Sequence, residues 1–249
     1  MLDPIIIDEC SGIINTLKNT KEDIDTISVP IFKKFHHNLV NILCDIINLS
    51  FITGCFPKCF KHATVIPIFK KGDRSNPTNY RPIALLPFIS KIFERCIFTR
   101  LTNYATANNL LSPNQFGFTK GKSTHDAIIL LTEKIYECLN AGDGSFILNV
   151  FIDFKKCFDT IDHEICCNKL ALYGVEGREL GLFLDYLTNR TQSVRVRDRL
   201  SSPRTVTKGV PQGSILGPLL FIFFINDLAS LSNSFTPILF ADDTTQLSM

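Results

Sequence analysis

The feature that most constrains the fold is an almost unbroken apolar run, residues 146–152, that ends in the carboxylate of Asp153. Asp143-Gly144 precedes the run and a charged turn follows it, and a run with these boundaries is typical of a fully buried strand. A bare carboxylate is costly to bury unless it is paired or bound to a metal ion. The sequence therefore predicts a buried strand whose terminal Asp153 requires a partner.

A second carboxylate group, Asp242-Asp243, follows an apolar segment that ends at Ala241. If the two strands are neighbours, Asp153 and Asp242 face each other, and charges about 4 Å apart repel by ~4 kcal/mol at an effective dielectric constant of about 20. A divalent cation relieves this repulsion, and oxygen-only ligands suit Mg²⁺. Two such ions ~3.5–4 Å apart are the usual apparatus for in-line displacement at phosphorus. Taken alone, however, an Asp-Asp pair is more often a capping or turn pair at the protein edge.

A third distinctive stretch, residues 209–218, concentrates glycines and prolines before an apolar helix. Gly213 permits the close approach of another backbone or of a flat ring, because it carries no side chain. The amide of Gln212 both donates and accepts hydrogen bonds. On its own, this pattern indicates only a loop and the start of a helix.

Composition narrows the class of protein. A chain of 249 residues with 45% hydrophobic residues and 21 Phe is long and apolar enough to form a packed globule. Its net charge of +2 does not predict nucleic-acid binding, so local basic clusters have to carry that prediction. Nine Cys without a Cys-x-x-Cys pair argue against a zinc site and favour reduced thiols inside the cell. The longest apolar run, residues 215–225, is too short to span a bilayer, so we expect no membrane insertion.

Periodicity and turn residues predict a mixed succession of helices and strands. The spacing of apolar residues predicts helices over residues 31–53, 88–104, 123–139, 162–173, 179–188 and 213–228. Strands are predicted over residues 63–69 and 235–240, and a hairpin over residues 193–199 and 203–208.

In this order, the three distinctive stretches resemble a known family. Residues 151–159, 209–218 and 240–243 are similar to the first, second and third palm motifs of reverse transcriptases from non-LTR retrotransposons, particularly jockey-like (LINE-type) elements. Four stretches upstream resemble the finger region of that family: residues 54–57, 66–73, 79–83 and 115–118. The resemblance covers the chain from about residue 50 to its end.

The resemblance implies an α+β right-hand polymerase fold, with an antiparallel palm sheet backed by helices. It implies an N-terminal helical extension over residues 1–60, fingers over residues 61–145 and a palm over residues 146–249. We expect the thumb to be missing, since the sequence stops soon after the third palm motif.

The resemblance also assigns the metal site. Asp153 and Asp242 match the metal-ligand positions, and Asp243 matches the third carboxylate. Two Mg²⁺ ions are implied, with Mn²⁺ as an alternative. Phe158 matches the steric gate, whose ring lies under the sugar and clashes with a 2′-hydroxyl, so that dNTP is selected over rNTP.

The remaining residues assigned by resemblance contact the dNTP. Gln212 and Gly213 match the loop beside the incoming nucleotide and the templating base, and the backbone near Lys156 and Cys157 is expected beside the phosphates. Thr119 stands where the family usually has Arg, which leaves that triphosphate contact to neighbouring lysines. The basic residues expected to contact the triphosphate or template are Lys70, Lys71, Arg81, Lys120 and Lys122.

These assignments predict RNA-directed DNA polymerisation: transfer of dNMP from dNTP to the 3′-hydroxyl of a DNA primer on an RNA template. No small-molecule cofactor is expected, and the site of action is intracellular, in the nucleus or cytoplasm as a ribonucleoprotein. The sequence leaves the oligomeric state open. A competing hypothesis is a truncated, inactive retrotransposon remnant that at most binds nucleic acid. A metal-dependent phosphohydrolase would use similar carboxylates, but it does not explain the loop at residues 209–218.

Overall fold

A computed structural model describes residues 1–19, 27–140, 146–230 and 235–248. The α-helices are α1 Ile7–Thr16, α2 Val29–Phe35, α3 Val40–Thr53, α4 Phe88–Ala107, α5 Thr124–Asn140, α6 Cys157–Thr160, α7 His163–Leu172, α8 Gly177–Leu187 and α9 Leu216–Ile225. The strands are β1 His62–Phe69, β2 Tyr80–Leu85, β3 Leu148–Asp153, β4 Arg190–Val196, β5 Arg199–Leu200, β6 Arg204–Val206, β7 Thr236–Phe240 and β8 Asp243–Ser248.

Local sequence signals account for several helix ends. Helix α3 ends at Gly54, which adopts the left-handed conformation with φ +68°. The carboxylate of Asp162 accepts hydrogen bonds from the amides of Glu164 and Ile165 and so caps α7. The helix predicted over residues 31–53 is in fact two helices, α2 and α3, because a 3₁₀ turn at His36–Asn38 interrupts it.

The first sheet has the strand order β2-β1-β4-β5, with β6 also paired to β4. Strand β1 runs antiparallel to β2 and parallel to β4. The hairpin predicted over residues 193–199 and 203–208 is only partly right. The chain already turns at residues 197–198, so that Arg195 pairs with Leu200, and β6 pairs with the start of β4, where Arg190 lies opposite Val206. Strands from both sides of residue 145 therefore share this sheet.

The second sheet is antiparallel, has the order β3-β8-β7, and carries all three candidate carboxylates at one end. The prediction of a fully buried strand ending at Asp153 is wrong. Strand β3 lies at the sheet edge with only β8 beside it, and Phe151 is 73% exposed. Strand β8 also separates β3 from β7, so Asp153 pairs with Asp243, not with Asp242.

The two sheets differ in the cores beneath them. The main apolar core joins helices α1–α4 and α7–α9, and α9 is buried along most of its length. The second sheet has a small core of Phe116, Ile238 and Leu247, against which side chains of α5 pack. None of the helices formed by the described residues is both long and apolar enough to cross a bilayer.

Candidate active site

One cavity of about 590 Å³ brings together residues from the three palm-like stretches. Asp153 and Asp242 line it, with Phe158 from the first stretch and Gln212-Gly213 from the second. The other predicted residues that line it are Lys70, Arg81, Lys156 and Cys157. Residues that are far apart in sequence thus converge on a single space that is large enough for a nucleotide-sized ligand.

Strand pairing fixes the positions of the carboxylates. Asp153 is the last residue of β3 and lies directly opposite Asp243, the first residue of β8. Directly opposed residues point to the same side of an antiparallel sheet, so these two side chains share a face. Asp242 occupies the tight turn between β7 and β8, where the preceding Ala241 adopts φ +56°. The third stretch therefore presents both of its carboxylates beside Asp153.

The donor chemistry of this end of the cavity suits a hard cation. The three carboxylates form no ion pair with any described residue. Across the described ranges, no three acidic, His or Cys side chains stand close enough to enclose an ion by themselves. Mg²⁺ does not require such a cage, because it binds through one or two carboxylates and completes its shell with water and substrate phosphates. The residues fit that mode of binding.

Cys157 contributes a second contact to the carboxylate end. Its thiol is buried and lies close to Asp242. Burial, together with the charge of Asp242, raises the pKa of the Cys157 thiol to about 12. The thiol therefore stays protonated at neutral pH and does not act as a nucleophile.

Phe158 lies against the cavity wall and is held by other aromatic rings. Its ring centroid lies 4.6 Å from that of Phe221 in α9 and 6.2 Å from that of Phe118. Phe221 is buried in the main core, so the Phe158 ring has a fixed support on one side. An aromatic ring held in this way presents a rigid surface to a ligand in the cavity.

Backbone hydrogen bonds attach the loop of the second stretch to the segment that carries Phe158. The Val210 amide donates to the Phe158 carbonyl at 2.8 Å, and the Gly209 amide donates to the Ile161 carbonyl at 2.7 Å. Nε2 of the buried His163 donates to the Gly209 carbonyl at 2.8 Å. These hydrogen bonds therefore hold the loop in a fixed position relative to the Phe158 backbone.

The other end of the loop is attached to β2. The Ala84 amide donates to the Gln212 carbonyl at 2.7 Å. Gly213 has φ +122°, and a Cβ there would lie 2.7 Å from the Ala84 carbonyl oxygen. Only glycine fits this position without displacing the strand.

Asp159 orients the Gln212 side chain. Nε2 of Gln212 donates to Oδ1 of Asp159 at 2.7 Å. An ionised carboxylate only accepts hydrogen bonds, so the amide nitrogen must face Asp159. Asp159 also lines the cavity, and sequence reasoning gave it no role. Asp159 is the last residue of the first palm-like stretch, but its partner Gln212 is 53 residues away in the sequence, so the sequence alone did not reveal the contact.

Buried Glu94 anchors the helix that follows the loop. Its Oε2 accepts hydrogen bonds from the Ile215 amide at 2.6 Å and the Leu216 amide at 3.3 Å, at the start of α9. Ser90 donates to its Oε1 at 3.2 Å. Burial raises the pKa of Glu94, while the two backbone amides and Arg190 act in the opposite direction. Glu94 is one of several charged residues in the amphipathic helix α4, and nothing in the sequence distinguished it for this role.

Four predicted site residues do not line the cavity. Lys71 and Lys120 lie exposed in turns, and Asp243 lies on the sheet face beside Asp153. Nζ of Lys122 instead donates to the backbone carbonyls of Pro113 and Gln115. Lys122 therefore supports the segment that precedes α5.

Comparison with known proteins places this geometry in context. A family model described as "Reverse transcriptase (RNA-dependent DNA polymerase)" matches residues 68–249. The chain is 35% identical over 227 residues to a probable RNA-directed DNA polymerase from transposon BS of Drosophila melanogaster, covering 90% of this chain and 25% of that protein. It is 30% identical over 190 residues to the RNA-directed DNA polymerase from mobile element jockey of the same species, covering 76% of this chain and 20% of that protein. The chain thus spans a quarter or less of the length of these relatives.

The fold also resembles a solved structure. Apo telomerase from Candida tropicalis, truncated from the C-terminal domain, superposes with a TM-score of 0.54 at 13% sequence identity. The superposition covers 95% of this chain and 53% of that chain. At this level of identity the similarity concerns the fold alone.

Proposed function

Because this chain belongs to the reverse transcriptase (RNA-dependent DNA polymerase) family, we propose that its cavity is a nucleotidyl-transfer site for copying RNA into DNA. The reaction transfers dNMP from a dNTP to the 3′-hydroxyl of a DNA primer paired with an RNA template. The observation that carries this proposal is the single cavity lined by Asp153, Asp242, Phe158 and Gln212. A phosphohydrolase would need the carboxylates but not the aromatic wall or the attached loop.

We propose that the carboxylates bind two Mg²⁺ ions, or Mn²⁺, through Asp153 and Asp242, with Asp243 beside them. When bound, these ions activate the primer hydroxyl and neutralise charge on the triphosphate. The protein's own part is to hold its carboxylates at one end of the cavity. The Asp153–Asp243 pairing places two of them on one face of the sheet, and the Cys157 thiol lies close to Asp242.

The opposite wall selects the nucleotide. Phe158 lies under the sugar and excludes a 2′-hydroxyl by contact, while Gln212 and Gly213 contact the base pair being formed. Lys70, Arg81 and Lys156 line the same space and provide positive charge for the triphosphate. Lys71 and Lys120 lie farther out, where they can attract the template backbone.

We propose that residues 61–145 form the fingers, that residues 146–249 form the palm, and that residues 1–60 form an N-terminal helical extension. The hairpin of β4 and β6 then joins the finger sheet from within the palm segment. RNA template, DNA primer and dNTP are the proposed partners, inside the cell in the nucleus or cytoplasm as a ribonucleoprotein.

Primer extension tests the proposal. A labelled DNA primer annealed to an RNA template is incubated with the purified chain, dNTPs and Mg²⁺. We expect extension by the parent chain and a loss of at least roughly 100-fold in Asp153→Asn, because the substitution replaces a charged metal ligand with a neutral amide. Asp198→Asn, in the exposed turn after β4, is the matched control and should extend as the parent does.

A duplex-binding measurement completes the test. Fluorescence anisotropy with the same labelled duplex should show that Asp153→Asn binds at least as tightly as the parent, because the substitution removes a negative charge. Binding without extension by the parent chain would contradict the proposed function and favour the inactive remnant.

A further inference from the structure

A short segment before α5 lies alongside β7, the strand that leads to the turn at Ala241-Asp242, here called the catalytic turn. The Phe116 amide donates to the Leu239 carbonyl at 2.7 Å, and the Leu239 amide donates to the Asn114 carbonyl at 2.9 Å. Gln115 forms a parallel bridge with Leu239. The segment from Asn114 to Gly117 therefore extends the second sheet beyond β7 and reaches the end that carries the carboxylates.

The side chain of Gln115 contacts the catalytic turn itself. It is 1% exposed, and its Oε1 accepts hydrogen bonds from the Ala241 amide at 3.1 Å and the Gly117 amide at 2.8 Å. Ala241 is the residue immediately before Asp242. The bond therefore fixes the Phe240–Ala241 peptide, which leads directly into Asp242.

Gly117 allows the two backbones to approach this closely. A Cβ at residue 117 would lie 2.2 Å from the Ala241 nitrogen and 2.8 Å from the Phe240 carbonyl carbon. Separations this short are forbidden, so any side chain at residue 117 would push the segment away from the turn. The Gln115 contact depends on this glycine.

The turn requires support from outside the hairpin. Ala241 is not a glycine yet adopts φ +56°, a conformation that persists only where the surroundings hold it. The Asp153–Asp243 pair adds repulsion between like charges at the same sheet end. The small core of Phe116, Ile238 and Leu247 provides little packing with which to oppose it.

We propose that Gln115 is a positioning residue that aims the Asp242 turn for metal binding. The inference rests on the proposed function, in which Asp242 is a metal ligand. A neutral amide suits this role because its oxygen accepts two backbone hydrogen bonds without adding a fourth negative charge beside the carboxylates. Nε2 of Gln115 has no hydrogen-bond partner among the described residues. Both side-chain hydrogen bonds of Gln115 therefore involve Oε1.

Metal binding tests the proposal without relying on catalysis. Mn²⁺ is titrated into the purified protein, and free Mn²⁺ is followed by its electron paramagnetic resonance signal. We expect Gln115→Met, which has a similar size but no amide oxygen, to weaken Mn²⁺ binding roughly 10–100-fold, as loss of an outer-shell contact typically does. The Mg²⁺ concentration for half-maximal extension should rise in parallel, with an unchanged KM for dNTP.

Two further variants separate positioning from folding. Gln246 lies in β8, in the same β7–β8 hairpin as Asp242. Gln246→Met is therefore the matched control and should leave Mn²⁺ affinity unchanged. Gln115→Glu retains an acceptor oxygen and should recover affinity relative to Gln115→Met. If Gln115→Met does not fold, Gly117→Ala replaces it, because the added methyl group displaces the same contact.

The outcomes are distinct. Equal Mn²⁺ affinity in the parent and in a folded Gln115→Met variant overturns the positioning role while leaving the proposed function intact. A loss of affinity that only tracks the unfolded fraction, measured by circular dichroism, also overturns it. Absence of both Mn²⁺ binding and extension in the parent chain overturns the proposed function and this inference with it.

Discussion

The two walls of the cavity are built in different ways. The loop at residues 209–213 is bonded to the Phe158 segment and to β2, and it rests on the main apolar core. The carboxylates lie on a three-stranded sheet with a small core and an exposed edge strand. The wall formed by Phe158 and this loop is therefore held rigidly.

The carboxylate wall depends on contacts from its neighbours. The Cys157 thiol lies close to Asp242, and Oε1 of Gln115 accepts a hydrogen bond from the Ala241 amide. Changes in the loop wall should consequently alter global stability, whereas changes beside the carboxylates should alter metal use first.

Glu94→Ala should be the most damaging change to the loop wall. It leaves the Ile215 and Leu216 amides without their acceptor in a buried site, and we expect the free energy of unfolding to fall by roughly 3 kcal/mol. Urea denaturation measures the change. A loss below about 0.5 kcal/mol would show that α9 does not need this anchor.

Gly213→Ala should cost about 1–3 kcal/mol, because φ is +122° and the new Cβ would lie 2.7 Å from the Ala84 carbonyl oxygen. Gly12→Ala in α1 is the matched control, since a Cβ there meets no described atom within 4 Å. Thermal unfolding should show a lower midpoint for the first variant and an unchanged or higher midpoint for the second. Similar midpoints would refute the tight attachment of the loop to β2.

Asp159→Ala should release Gln212 without unfolding the chain. Loss of one charge-assisted hydrogen bond is worth about 1.5 kcal/mol, so we expect KM for dNTP to rise roughly tenfold. Asp159→Asn retains an acceptor and should fall between Asp159→Ala and the parent. Steady-state extension kinetics measure both. An unchanged KM in Asp159→Ala would remove Asp159 from nucleotide binding.

The raised pKa of the buried Glu94 should make the free energy of unfolding depend on pH. Burial raises its pKa above the unfolded value of 4.5, so the folded chain retains a proton that the unfolded chain has lost. Stability contributed by this group is therefore present at low pH and decreases as pH rises from about 4.5 through the raised pKa. Subtracting denaturation curves of Glu94→Gln isolates this slope. A difference that does not change with pH would contradict the raised pKa.

Sequence patterns predicted where helices and strands lie in the chain better than they predicted which of them are buried. Apolar periodicity located α4 and α5, but the alternation over residues 193–199 concealed the turn between β4 and β5. The same reasoning failed for β3, because an apolar run does not reveal whether a strand lies at the edge of its sheet. It also merged α2 and α3, because helical spacing continues across the turn at His36–Asn38.

The site was predictable where chemistry is local to a motif. Asp153, Phe158 and Gln212 were named from the sequence, and the structure brings them together in one cavity. Gln115, Asp159 and Glu94 act through partners between 53 and 126 residues away. Such pairings arise only from tertiary folding. Nζ of Lys122 donates to carbonyl groups only a few residues away, and its contact with the triphosphate stays a prediction.

Sugar selection by Phe158 tests the central claim most directly, because it requires both catalysis and the observed cavity wall. The measurement compares kcat/KM for dNTP and rNTP in the parent and in Phe158→Ala, on the same RNA template. We predict that the preference for dNTP falls roughly 10–100-fold in Phe158→Ala, since truncation opens space for the 2′-hydroxyl. An unchanged preference in an active Phe158→Ala variant would contradict the assignment of this cavity as the nucleotide site.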